Sequence, residues 1–188
     1  MDETKSVHAS KRKETQGVDK FRFTNLVMVF FLGAFLGWLW EGVFAWARSG
    51  EWYDAGFLHG PWLPVYGVGC AVIYLLKKVF GKNVFMLFLC SAVACAVIEY
   101  FTGWALEKVY HRRWWNYSRL PWNLHGRIFF GGVLFFGIGG TLVAYLVFPF
   151  FEKLLNKLPR ALTAISVLLL IGLFVADCAV SIFVTHAA

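Results

Sequence analysis

Three acidic residues, Glu41, Glu99 and Asp177, stand inside long apolar stretches of this 188-residue chain, where a lone charge is expensive. Two Leu-His-Gly triplets, centred on His59 and His125, precede further apolar runs, and the second is followed by Arg127. A carboxyl group or an imidazole can move protons, so Glu99 and His125 are each candidate acid–base groups. Residues 107–127 add Glu107, Arg112, Arg113, Arg119 and Arg127 among Trp114, Trp115, Tyr117 and Trp122. Guanidinium groups grip phosphate or carboxylate in bidentate fashion and stack on aromatic rings. That stretch therefore reads as a place for a small anion or an anionic lipid headgroup, with an interfacial aromatic belt as the plainer alternative for about half of its rings.

The elements that would position these groups follow from composition. Apolar residues make up 59% of the chain and charged residues only 15%, which is too much apolar surface for one soluble core of this size. Five apolar windows, 23–47, 61–76, 84–106, 128–151 and 163–184, each approach the ~20 residues that a helix needs to cross ~30 Å of hydrocarbon. None alternates apolar and polar residues with period two, so the expected fold is all-α: a bundle of five transmembrane helices, not a barrel. Pro61 suits the first position of the second helix. Residues 1–21 read as a flexible cytoplasmic tail and 22–188 as one membrane domain, the first span being too long for a cleaved signal.

At ~1.5 Å per residue, Glu99, Glu41 and Asp177 lie about 25, 28 and 21 Å up their helices, which gathers them toward one side of the membrane. They also ride on faces of small residues that let helices approach closely: Gly33, Gly37 and Glu41; Ala92, Cys95, Glu99 and Gly103; Asp177 and Ser181. Arg127, opening the next span, is the expected partner of Glu99. The halves around Glu41 and Glu99 share an order (acid-bearing helix, Trp/Tyr loop, Leu-His-Gly, glycine-rich helix) that suggests a parallel repeat with the fifth helix appended.

Twelve of the 18 Lys and Arg residues fall on the side of the N-terminal tail, so the N-terminus is expected inside and the C-terminus outside. The same bias accounts for the net charge of +7, and no nucleic-acid-binding module is present to use it. Cys70, Cys90, Cys95 and Cys178 lack metal-ligand spacing and read as small apolar residues, so neither a metal nor a cofactor is expected.

Two stretches carry a resemblance. "GFLHGPWLPVYGVG" (residues 56–69) and "EYFTGWALEKVYHRRWWNYSRLPWNLHGRI" (residues 99–128) resemble the CmpB-like family of ABC-transporter type IV permeases, along all five helices. The chain departs from that pattern at Asn116 and Ala55, where the family tends to carry Asp and Arg. The resemblance implies transport, with the ATPase on a separate chain, because no G-x-x-x-x-G-K-[ST] motif occurs here. Three readings follow. One is a transport component whose outward cavity binds a solute or lipid headgroup through Glu41, His59, Tyr66, Glu99, Glu107, Arg112, Trp115, Tyr117, Asn123, His125, Arg127 and Asp177. Another is a membrane enzyme acting on a lipid headgroup, with Glu99 or His125 as acid–base and the arginines holding phosphate. The third is an assembly protein whose polar groups fix helix packing. Partner candidates are membrane lipids, the ATPase chain and a second copy of this chain.

Overall fold

A computed structural model describes residues 23–52 and 56–187, with side chains as far as 183. The expected tail at residues 1–21 lies outside them, as do Tyr53 and Ala55. The described residues form five helices: α1 (Phe23–Ser49), α2 (Pro64–Phe80), α3 (Val84–Tyr110), α4 (Phe130–Lys157) and α5 (Arg160–Ala187). A short antiparallel pair, β1 (Asn123–Leu124) and β2 (Ile128–Phe129), lies just before α4. The described chain is all-α in character.

Helices α1, α3, α4 and α5 are long and apolar enough to cross a membrane by length and composition, which makes this a multi-pass membrane protein. Helix α2 is shorter. Its 17 residues reach about 25 Å, below the hydrocarbon thickness. It also starts later than expected, for Pro64 rather than Pro61 sits in its first turn. The cause is tertiary: the backbone N–H groups of His59 and Gly60 and the indole of Trp62 donate to Asp177 on α5, holding the chain irregular up to Leu63.

Local chemistry sets the other boundaries. Asn83 caps α3 by accepting from the Met86 N–H at 3.0 Å. His111, at φ 52°, closes the same helix in the left-handed conformation. Within α4, residues Val143–Val147 form a π turn, beside which the Tyr145 hydroxyl donates to the Gly81 carbonyl at 2.8 Å.

Consecutive helices pack together, α1 on α2, α2 on α3 and α3 on α4. Glycine makes the first contact possible, since a Cβ at Gly33 or Gly37 would collide with Cys70 or the Tyr66 ring of α2. The buried core gathers Val29, Ile73, Tyr74, Leu87, Ala144 and Phe148 toward the end of the bundle that carries the short turns at 81–83 and 158–159. There the Tyr74 hydroxyl and the Lys78 ammonium both donate to Glu152, at 2.6 and 3.1 Å. Helix α5 is peripheral. Phe174 meets Phe30, Phe31 and Trp62 edge-on, and Asp177 supplies the polar attachment.

Candidate functional site

Toward the opposite end of the bundle, α1 to α4 separate around a cavity of about 400 Å³. The small faces of α1 and α4, with Gly33, Gly37, Gly139 and Gly140, leave the space, and aromatic rings wall it. Trp40 of α1 stacks on Phe135 of α4, with centroids 5.8 Å apart. Trp114, Trp115 and Tyr117 come in from the loop after α3. Phe57 of the first loop packs on Tyr110 and Trp114, joining the two loops in one aromatic cluster.

Two carboxylates reach this apolar space, Glu41 from α1 and Glu99 from α3. A phenol serves each. The Tyr66 hydroxyl donates to Glu41 Oε1, and the Tyr117 hydroxyl donates to Glu99 Oε1 at 3.1 Å. Tyr66 reaches Glu41 because its ring lies over Gly37, one turn before the acid on α1. Burial first, then the charge and hydrogen bond of Glu99, raise the Tyr117 phenol above its ordinary range, so it stays a donor. Glu41 adds a smaller push in the same direction. Among the described residues neither acid forms an ion pair, and no Lys, Arg or His lines the cavity.

The expected Glu99–Arg127 pair does not form. Arg127 Nη2 donates instead to Glu107 Oε2 at 2.6 Å, and Arg113 Nε donates to Glu107 Oε1 at 2.8 Å. Glu107 lies eight residues beyond Glu99, about 12 Å farther along α3, and the following loop returns to that level before α4 begins. A pair at the helix end needs less desolvation than one at the depth of Glu99. Arg127 also lies over the Tyr100 ring, 5.5 Å from its centroid.

The loop over the cavity is held by hydrogen bonds. Trp115 Nε1 donates to the Arg127 carbonyl at 3.0 Å, the Tyr117 N–H to the Gly126 carbonyl at 2.8 Å, and the Gly126 N–H to Asn123 Oδ1 at 3.0 Å. Gly126 has φ +69°, and a Cβ there would strike the Ser118 hydroxyl, so only glycine fits without strain. Trp115 indole packs against Gly103, which seats the loop on α3.

The candidates named from sequence thus divide among separate places. Glu41, Tyr66, Glu99, Trp115 and Tyr117 line the cavity. Glu107 and Arg127 tie the loop to α3, and Asn123 shapes its turn. Arg112 lies over Trp114, 5.6 Å from its centroid, and does not line the cavity. His125 pairs with the Tyr100 hydroxyl at 2.9 Å, also away from the cavity and from Glu99. Asp177 and His59 belong to the α5 attachment. Sequence reasoning missed Trp40, Trp114, Phe135 and Phe136 as lining, although Trp40 directly precedes Glu41 and Phe136 precedes the Gly137-Ile138-Gly139 stretch.

One cluster resembles a catalytic relay in composition but not in geometry. His59, Ser181 and Asp177 come together, but His59 Nδ1 faces both partners, at 2.8 Å from Ser181 Oγ and 3.8 Å from Asp177 Oδ1. A relay needs the imidazole to bridge acid and nucleophile through its two nitrogens. Among the described residues no group of three His, Cys, Asp or Glu side chains could hold a metal ion.

A family model described as "Putative ABC-transporter type IV" matches residues 28–182. The chain belongs to this CmpB-like family. The match runs from the first turns of α1 to near the end of α5, so it contains both acids and both phenols of the cavity. No curated protein and no solved structure matches the chain.

Proposed function

We propose that the chain is a small transport component of the cell membrane whose cavity holds a small solute between Glu41 and Glu99. The cavity carries this reading: about 400 Å³ between apolar helices, with two carboxylates facing it, in a family described by transport. Its size falls within the ~300–1,000 Å³ of small-molecule sites. In this reading all five helices cross the bilayer, residues 56–63 completing the depth that α2 lacks. The N-terminus is cytoplasmic, the C-terminus is outside, and the cavity lies toward the outer face, in keeping with the distribution of Lys and Arg. The matching places of Glu41 and Glu99, each on the first helix of a hairpin, support a duplicated origin. An ATPase would be a separate chain, meeting the bundle at the turns 81–83 and 158–159.

Thermal unfolding of the purified chain in detergent tests the reading, with and without the small-molecule fraction of a cell extract. Wild-type protein should be stabilised, and Glu41→Gln and Glu99→Gln should each lose most of the effect. No stabilisation of the wild type, or equal stabilisation of all three, would overturn it.

A further inference from the structure

We infer that the solute is an organic cation, an amine or quaternary ammonium group on a small apolar body. The assignment rests on the binding reading above and names its ligand class. The arginine-rich loop suggests an anion, yet none of its guanidinium groups lines the cavity: Arg113 and Arg127 bond Glu107, Arg112 covers the Trp114 ring and Arg119 is exposed. Among the described residues the cavity receives two carboxyl groups, from Glu41 and Glu99, and no cationic side chain. Each acid accepts one phenol hydrogen bond through Oε1, and no described residue donates to either Oε2. An ionised carboxylate has about four acceptor sites, so both retain capacity for a ligand donor or cation. An anion would meet two like charges in an apolar enclosure, the arrangement that excludes wrong partners.

The rest of the wall selects an organic cation over a metal ion. Trp40, Trp115 and Phe135 line the cavity with aromatic rings, and an aromatic face attracts ammonium groups through its quadrupole. For a metal ion the acids are too few: among the described residues no group of three His, Cys, Asp or Glu side chains could hold one. An ammonium group needs fewer directed ligands and gains from both carboxylate and ring, while its apolar body gains from leaving water. The ammonium of a free solute and that of a zwitterionic lipid headgroup share this chemistry.

The test uses the full chain in nanodiscs of phosphatidylglycerol, titrated with choline, benzyltrimethylammonium and phenethylamine and followed by tryptophan fluorescence. A neutral isostere, 3,3-dimethylbutan-1-ol, and an anion, benzenesulfonate, serve as comparisons. At least one cation should bind saturably, about tenfold or more tighter than the isostere. Glu41→Gln and Glu99→Gln should each weaken it by about tenfold, Trp40→Leu by a similar factor, and the exposed Arg119→Gln should leave it unchanged. Repeating the titration in phosphatidylcholine discs separates the sources: loss of probe binding there assigns the ammonium to a lipid headgroup, and retention assigns it to a free solute. Binding of the isostere or the anion without the cations would refute the cation assignment and leave solute binding standing. No binding by any probe would overturn both. Cation affinity unchanged in both glutamine variants would also sink the assignment, whichever lipid is used.

Discussion

Replacing Asp177 should release α5 and the first loop together, because one carboxylate holds both. It accepts from Trp62 Nε1 at 2.6 Å, the Gly60 N–H at 2.9 Å, the His59 N–H at 3.1 Å and the Ser181 hydroxyl at 3.3 Å. Its side chain is 12% exposed. Hydrogen bonds to a charged group contribute about 1.5–3 kcal/mol each, but four sharing one carboxylate do not add, and burying the charge offsets part of the gain. Asp177→Asn keeps one acceptor oxygen and should cost about 1.5–3 kcal/mol. Asp177→Leu leaves the donors of residues 59–62 without an acceptor and should cost about 3–5 kcal/mol, within the range for breaking a buried charged cluster. Unfolding in detergent measures the loss, and amide exchange locates it, with faster exchange at residues 59–63 and on α5 than on α3. Ligand stabilisation through Glu41 and Glu99 should persist in Asp177→Asn. A loss below about 0.5 kcal/mol in Asp177→Leu, the level of an ordinary surface change, would refute the staple.

Arg127→Met should couple to Glu107→Gln and not to Glu99→Gln: the double mutant with Glu107 should lose less than the sum of its singles, while that with Glu99 should be additive within about 0.5 kcal/mol of unfolding free energy. Gly37→Val drives a side chain into the Tyr66 ring and should cost about 1–3 kcal/mol, together with ligand stabilisation. Gly172→Ala, with open space around its Cβ position, should be neutral or slightly stabilising in the same thermal assay. A reporter active only in the cytoplasm should be silent when fused after Ala188, and activity there would reverse the proposed orientation.

Hydropathy is local, so the helices were readable from the chain alone. The window beginning at residue 84 starts where α3 starts, since a run of apolar residues must leave water whatever its neighbours do. The inward direction of Glu41 and Glu99 was readable too, because Gly33 and Gly37, and Ala92 and Cys95, share their helix faces at helical spacing. Membership of the CmpB-like family was legible in short motifs in the loops, α2 and the second half of α3.

Long-range pairing decided the rest. Pro61 looks like a helix start until Asp177, more than a hundred residues away, takes the preceding N–H groups. Glu99 and Glu107 are equally plausible partners for Arg127 along a sequence, and only the return path of the loop brings Arg127 to Glu107. That choice reverses the electrostatic character of the site. The arginines cluster in sequence beside Glu99, but the fold uses them to fasten the loop at the end of α3 and leaves the carboxylates facing an aromatic cavity with phenols as their hydrogen-bond donors. Spacing along the chain fixes which face of a helix a charge occupies. Which opposite charge it meets depends on where a loop turns back in three dimensions.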